Sequence, residues 1–143
     1  MSGPEITLRA AGDADGPFLA RLLADLRGAH DAPESDARAA QRLTLLLGAG
    51  YKPFVGEEAG APIGYALTQE NGDHVFIRQF VVAPEARRRG VGRAMARALA
   101  DWFGWPEMRL DVMAGREDAR AFWAALGFEP AATNMRRPAL EEF

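Results

Sequence analysis

The run of strand and helix patterns in this 143-residue chain predicts an α/β fold, a three-layer α-β-α sandwich around a mixed, mostly antiparallel central sheet, in the order βαα-βββ-α-β-α-β. Three observations carry that prediction. Three extended runs follow one another between residues 51 and 82 with turn residues between them, as hairpins require. The third, HVFIRQFVV (74–82), is apolar at both parities, as a strand covered on both faces must be. Beyond it, helical and extended patterns alternate toward the C-terminus.

Taken in order, EITLRA (5–10) alternates Ile6 and Leu8 with polar neighbours and predicts a first strand. Asp15 or Gly16 then caps a helix with Pro17 in its first turn, an apolar face of Leu19, Leu22, Leu23 and Leu26, and Gly28 as its stop. A second helix starts near Ser35, holds Ala40, Leu43 and Leu47 in register, and ends at GAG (48–50). Strands follow over 51–58 and 62–70, joined through Ala59, Gly60 and Ala61, and NGD (71–73) turns the chain into the strand at 74–82. Strict alternation there puts Val75, Ile77 and Val81 on one side and Phe76, Phe80 and Val82 on the other. A helix from Gly90 to about Phe103 carries Val91, Ala94, Met95, Ala98, Leu99 and Trp102 on one stripe. MRLDVM (108–113) is a further strand, and a helix from about Arg116 to Leu126 buries Ala119, Phe122 and Leu126 before Gly127 ends it. FEPAATNMRR (128–137) is expected to be a last, weaker strand.

The length suits one domain over residues 1–143, with no repeat or linker. A net charge of −3 and a sequence pI near 5.4 argue against general nucleic-acid binding. With no cysteine there are no disulfides, thiolate metal sites or cysteine nucleophile, and no metal is expected. No apolar window approaches a membrane span and the N-terminus lacks a signal-peptide pattern, so the expectation is a soluble, cytoplasmic protein.

Against that acidic balance, VVAPEARRRGVGRAMA (81–96) crowds Arg87, Arg88, Arg89 and Arg93 around Gly90 and Gly92. Bare amides at a helix start, a positive dipole end and glycines that admit a close approach make an anion site, here for a phosphorylated ligand and best for a pyrophosphate. The same run also reads as a solvated helix start. It is no P-loop, since G-x-x-x-x-G-K-[ST] is missing and Lys52 is the sole lysine. Asp111 lies at about the spacing of a Rossmann ribose ligand, but on a strand of a sheet that is not all parallel.

VVAPEARRRGVGRAM resembles the acetyl-CoA-binding motif of the GNAT family of N-acetyltransferases, [QR]-x-x-G-x-[GA], as Arg87-x-x-Gly90-x-Gly92. LDVMAGREDARAFWAALGFEP resembles the second family signature, with Ala119, Phe122, Gly127 and Phe128 in the matching places. The order of elements agrees over nearly the whole chain. The resemblance implies a pyrophosphate of coenzyme A on the amides of Arg87, Arg88, Arg89, Gly90, Val91, Gly92 and Arg93. It implies a pantetheine arm beside Phe80, Val81 and Val82, with a backbone N–H there polarising the thioester carbonyl. Arg116, Ala119, Phe122 and Trp123 would close the other side of the arm.

Two positions depart from the family. Trp123 stands where a proton-donating Tyr is common, and is read as a packing residue against coenzyme A. Arg78 stands where many members carry a Glu base. Arg78 would either hold an acidic group of the acceptor or, the preferred reading, pair with Asp111. The base is unassigned, with His30, Asp31 and Glu34 as loop candidates, His30 on its intrinsic pKa. The implied activity is transfer of acetyl from acetyl-CoA to a primary amine of a small molecule or peptide, by direct attack in a ternary complex. The alternative is a catalytically silent acyl-CoA sensor. No nucleic-acid or membrane partner is expected, and PALEEF at the C-terminus offers a contact for a homodimer.

Overall fold

The computed structural model describes residues 3–30, 35–113, 115–136 and 139. In chain order the elements are β1 (Thr7–Ala10), α1 (Gly16–His30), α2 (Asp36–Gly48), β2 (Lys52–Glu58), β3 (Ala61–Glu70), β4 (His74–Val82), α3 (Val91–Phe103), β5 (Glu107–Leu110) and α4 (Glu117–Ala125). One sheet runs β1-β2-β3-β4-β5 in sequence order. The first four strands pair antiparallel and β4 pairs parallel with β5, the mixed, mostly antiparallel α/β arrangement expected. Residues 3–111 form one compact unit and residues 112–139 another.

Two cross-strand rows define one face of the first unit: Leu8–Gly56–Gly64–Val82 and Ala10–Phe54–Ala66–Phe80. Helix α3 lies on this face, with Phe54 edge-on to Trp102 and Phe103 at 5.0 and 5.6 Å between ring centres. Met95 explains the two glycines. A Cβ on Gly56 would stand 2.8 Å from its sulfur, and one on Gly64 2.9 Å from the same atom and 2.6 Å from the Val81 carbonyl. Only bare backbone lets the helix settle this closely.

The opposite row, Val55–Tyr65–Val81, is fully buried, and α1 packs on β3 and β4 with α2 against it. Leu19, Leu22 and Leu23 of α1 form the apolar stripe, each worth roughly 1.5–3 kcal/mol in buried side chain.

Several boundaries differ from expectation for physical reasons. Helix α1 runs through Gly28 to His30, because an interior glycine weakens a helix by only about 1 kcal/mol and packing outweighs that. Ser35 caps α2 as predicted, its hydroxyl accepting from the Arg38 N–H at 3.2 Å, but the buried positions are Ala39 and Leu43 while Ala40 and Leu47 are exposed. Strand β5 stops at Leu110 rather than 113, and residues 128–136 hold no strand.

The predicted alternation of β4 fails at its middle. Leu67 pairs with Gln79 but Thr68 pairs with Ile77, so Arg78 is the extra residue of a bulge. The slip turns Val75 and Ile77 to the α3 face with Phe80 and Val82, and Phe76 to the other face with Gln79 and Val81.

Candidate active site

Beyond the bulge, β4 keeps β3 on one side and, among the described residues, pairs with no strand on the other. The β4–β5 register ends at Ile77↔Leu110, while β3 continues to Val82. The Ala83 N–H donates to the Ile63 carbonyl at 2.7 Å, so the trans peptide aims the Val82 carbonyl away from β3. Strand alternation then places the N–H and C=O of Val82 and of Phe80 on the side that β5 does not reach, and those of Val81 on the β3 side. Val81 therefore meets this edge only through its neighbours, although the sequence grouped all three.

The strand leads straight into the arginine turn. Ala83 and Ala86 are buried and fix a single 3-10 turn over Pro84–Ala86. Arg87 follows in extended conformation, Arg88 is left-handed at φ 64°, and Gly90 is left-handed at φ 78° as the residue before α3. A built Cβ on Gly90 meets nothing closer than Pro4 at 3.6 Å, so its glycine is required by the backbone angle rather than by lack of room. A left-handed arginine is strained by roughly 1 kcal/mol, and such residues gather where function holds the backbone. No side chain caps α3, so its first amides face outward with the positive end of the dipole.

The four arginines do different things. Arg87 Nε donates to the Val82 carbonyl at 3.0 Å. Arg89 grips Glu58 at the end of β2 through Nη2–Oε1 at 2.9 Å and Nη1–Oε2 at 3.4 Å, which holds the Glu58 carboxyl below its usual range. Arg88 and Arg93 are exposed and make no hydrogen bond or ion pair among the described residues. Sequence spacing puts the four arginines in one turn. It gave no signal of Glu58, which lies 31 residues from Arg89.

Arg78 sits exposed on the bulge, and the expected pair with Asp111 is not formed. The bulge removes Arg78 from the regular ladder, and β5 ends at Leu110, so strand pairing does not bring the two side chains together. Beside Arg78, the buried Tyr65 hydroxyl donates to Gln79 Oε1 at 2.8 Å, and burial pushes its pKa well above the usual tyrosine range. His30 closes α1. Asp31 and Glu34 fall outside the described residues.

The α4 residues lie in the second unit. Arg116 precedes the helix and pairs with Asp118 at 3.4 Å. Trp123 is buried, edge-on to Phe122 and Phe128 at 4.8 and 5.0 Å. A separate cavity of about 290 Å³, lined by Gly50, Lys52, Thr68, Gln69 and Glu70, opens at the other end of the strands from the arginine turn. Among the described residues no group of three or more His, Cys, Asp or Glu is placed to hold a metal, and no helix is long and apolar enough to cross a membrane.

The profile of the Acetyltransferase (GNAT) family matches residues 19–128, which takes in the β4 edge, the arginine turn and α4. The chain belongs to the GNAT acetyltransferase family. Among curated relatives, it is 33% identical over 131 residues to a mycothiol acetyltransferase of Nocardia farcinica (strain IFM 10152). That alignment covers 89% of this chain and 42% of the relative, so the chain spans about two fifths of the relative's length. Among solved structures, a possible acetyltransferase of Clostridium difficile 630 superposes with a TM-score of 0.78 at 18% identity, covering 96% of this chain and 99% of the other. An aminoglycoside N-acetyltransferase solved in complex with CoA superposes with a TM-score of 0.68 at 22% identity, covering 96% and 98%. These two likenesses establish the shared fold.

Proposed function

We propose that this GNAT protein moves an acetyl group from acetyl-CoA to a primary amine of a small molecule or peptide, by direct attack with both substrates bound. One observation carries the reading: the stretch of β4 that β5 abandons runs directly into a capless helix start flanked by arginines. An extended pantetheine arm fits beside such a strand, and a pyrophosphate fits the outward amides. The shared fold with a CoA-bound N-acetyltransferase supports the donor, and the mycothiol relative supports a small-molecule acceptor as a class.

In this reading the arm lies beside the Phe80–Val82 stretch, and a backbone N–H there polarises the carbonyl under attack. The Arg87 N–H is already given to the Pro84 carbonyl at 3.3 Å, so the amides from Arg88 to Arg93 receive the pyrophosphate. Arg116, Ala119, Phe122 and Trp123 are assigned to the arm on the motif match. The thioester supplies an activated acetyl group. The amine nitrogen bonds to its carbon as the C–S bond breaks, sulfur keeps the electron pair, and the ammonium proton passes to a base or to water. A thiol pKa of about 8.5 lets the thiolate leave without a strong acid, so the indole of Trp123 is compatible with turnover. Arg78, exposed on the bulge, suits an acidic group on the acceptor. His30 is carried as a candidate base on the ordinary pKa of imidazole alone.

Trp123 and Arg78 also favour a second reading, a catalytically silent acyl-CoA sensor. Calorimetric titration with acetyl-CoA, desulfo-CoA and ADP, followed by turnover on a panel of amines, separates the two. Micromolar binding that needs the pantetheine arm, with turnover, supports the enzyme; binding without turnover supports the sensor. No binding of any of the three defeats both. Gly92→Glu, which puts a carboxylate in the first turn of α3, is expected to weaken desulfo-CoA binding at least tenfold in the same titration. Unchanged affinity would remove the pyrophosphate from this turn.

A further inference from the structure

We infer that Arg89 is a positioning residue that holds the donor turn in place through Glu58, and that it is not a ligand of the phosphates. The inference rests on the coenzyme A reading of the turn and deepens it. Its first support is geometry. Arg89 lies between the left-handed residues Arg88 and Gly90, and its guanidinium forks onto both oxygens of Glu58. Glu58 ends β2, immediately before the left-handed pair Ala59 and Gly60 that reverses the chain into β3. The bridge therefore ties a strained turn to the tip of a rigid hairpin.

Its second support is charge. A carboxylate at the mouth of a pyrophosphate site repels the ligand unless something neutralises it. Glu58 is neutralised by Arg89, and Arg89 is neutralised in return. Arg87 donates to the Val82 carbonyl, a neutral group, and keeps its charge, so the unneutralised positive charge of the turn comes from Arg87, Arg88 and Arg93. A forked arginine–carboxylate pair fixes direction as well as distance, which a loop presenting bare amides needs.

The two roles for Arg89 predict opposite signs for one substitution. If Arg89 positions the turn, Glu58→Gln frees the turn and weakens desulfo-CoA binding, by about threefold to tenfold in calorimetric Kd. Arg89→Gln weakens it by a similar factor, and the double variant is no worse than the weaker single, because both remove one bridge. If Arg89 instead touches phosphate, Glu58→Gln removes a repelling charge and binding stays the same or tightens, which overturns the inference. Arg89→Lys is the second arm: it keeps the charge and loses the fork, so retained affinity also overturns it. Melting temperatures are read alongside, and a loss of melting temperature with Kd unchanged shows a merely structural bridge and overturns it as well. A wild-type protein that binds no desulfo-CoA defeats the coenzyme A reading itself. A wild type that binds, with Glu58→Gln binding as well or better, defeats only the role of Arg89.

Discussion

The two halves of the sheet are built to different standards. From β1 to β3 the ladders reach the ends of the strands with a single register slip, between Gly56 and Glu57, two glycines admit Met95, and Arg9 locks the corner. Its guanidinium takes both oxygens of Asp15 at 2.8 Å and one of Glu57 at 3.0 Å. From β4 onward, four residues pair with β5, a bulge interrupts the strand, and the chain leaves through a strained turn. The lesson is that rigidity on one side is what lets the other remain incomplete. Backbone groups can be offered to a ligand only if the strand carrying them is held from behind, and β3 holds β4 up to its last residue.

The strongest way to break that contrast is Gly64→Val. The new side chain meets the Val81 carbonyl and Met95 at once, so helix, β3 and the site strand must all shift. We expect a loss of about 3 kcal/mol in urea unfolding, beyond ordinary surface substitutions. An unchanged midpoint would mean that α3 does not depend on that close approach.

The corner on the rigid side offers a second, smaller effect. Arg9 and the Gly12 N–H together hold the Asp15 carboxyl at a pKa of about 2, below its ordinary value. A depressed acid stabilises the fold above its unfolded pKa and loses that contribution as pH falls through the folded value. The contribution, on the order of 1–2 kcal/mol, should therefore be complete above about pH 4 and vanish toward about pH 2. Asp15→Asn should flatten that part of the stability–pH curve. A variant that follows the wild-type curve would take Asp15 out of the account.

The smallest change tests the seam between the halves. Tyr65→Phe removes the hydroxyl that donates to Gln79 beside the bulge. It should cost about 1 kcal/mol in the same unfolding assay, because the Gln79 oxygen loses a partner while the ring still packs. No loss would show that the bulge is kept by the ladder alone.

Much of this was legible in the sequence, and the failures share a cause. The bounds of β4 were read correctly because NGD and the arginine run punctuate it on both sides. The turn was legible because glycine and arginine spacing is a local signal. The facing of Val75, Phe76 and Ile77 was not, since a bulge is a property of two strands and is invisible in either alone. The strand expected over 128–137 failed similarly: extended propensity in 128–136 found no ladder to join. Arg89 looked like one of four equivalent cations, and its partner comes from a different hairpin. Local patterns named the candidate turn; which of its charges are paired was decided by contacts distant in sequence.

Arg87 has a consequence for how the protein behaves in a crowded solution. A strand flank without its neighbour is a template on which another chain can dock, the usual beginning of aggregation. Here the last carbonyl of that flank is taken by a guanidinium, and a cationic side chain stands where an incoming strand would need to lie. A side chain can swing away for a ligand, whereas a permanently paired strand could not. Arg87 thus guards the flank against other proteins without closing it to small molecules.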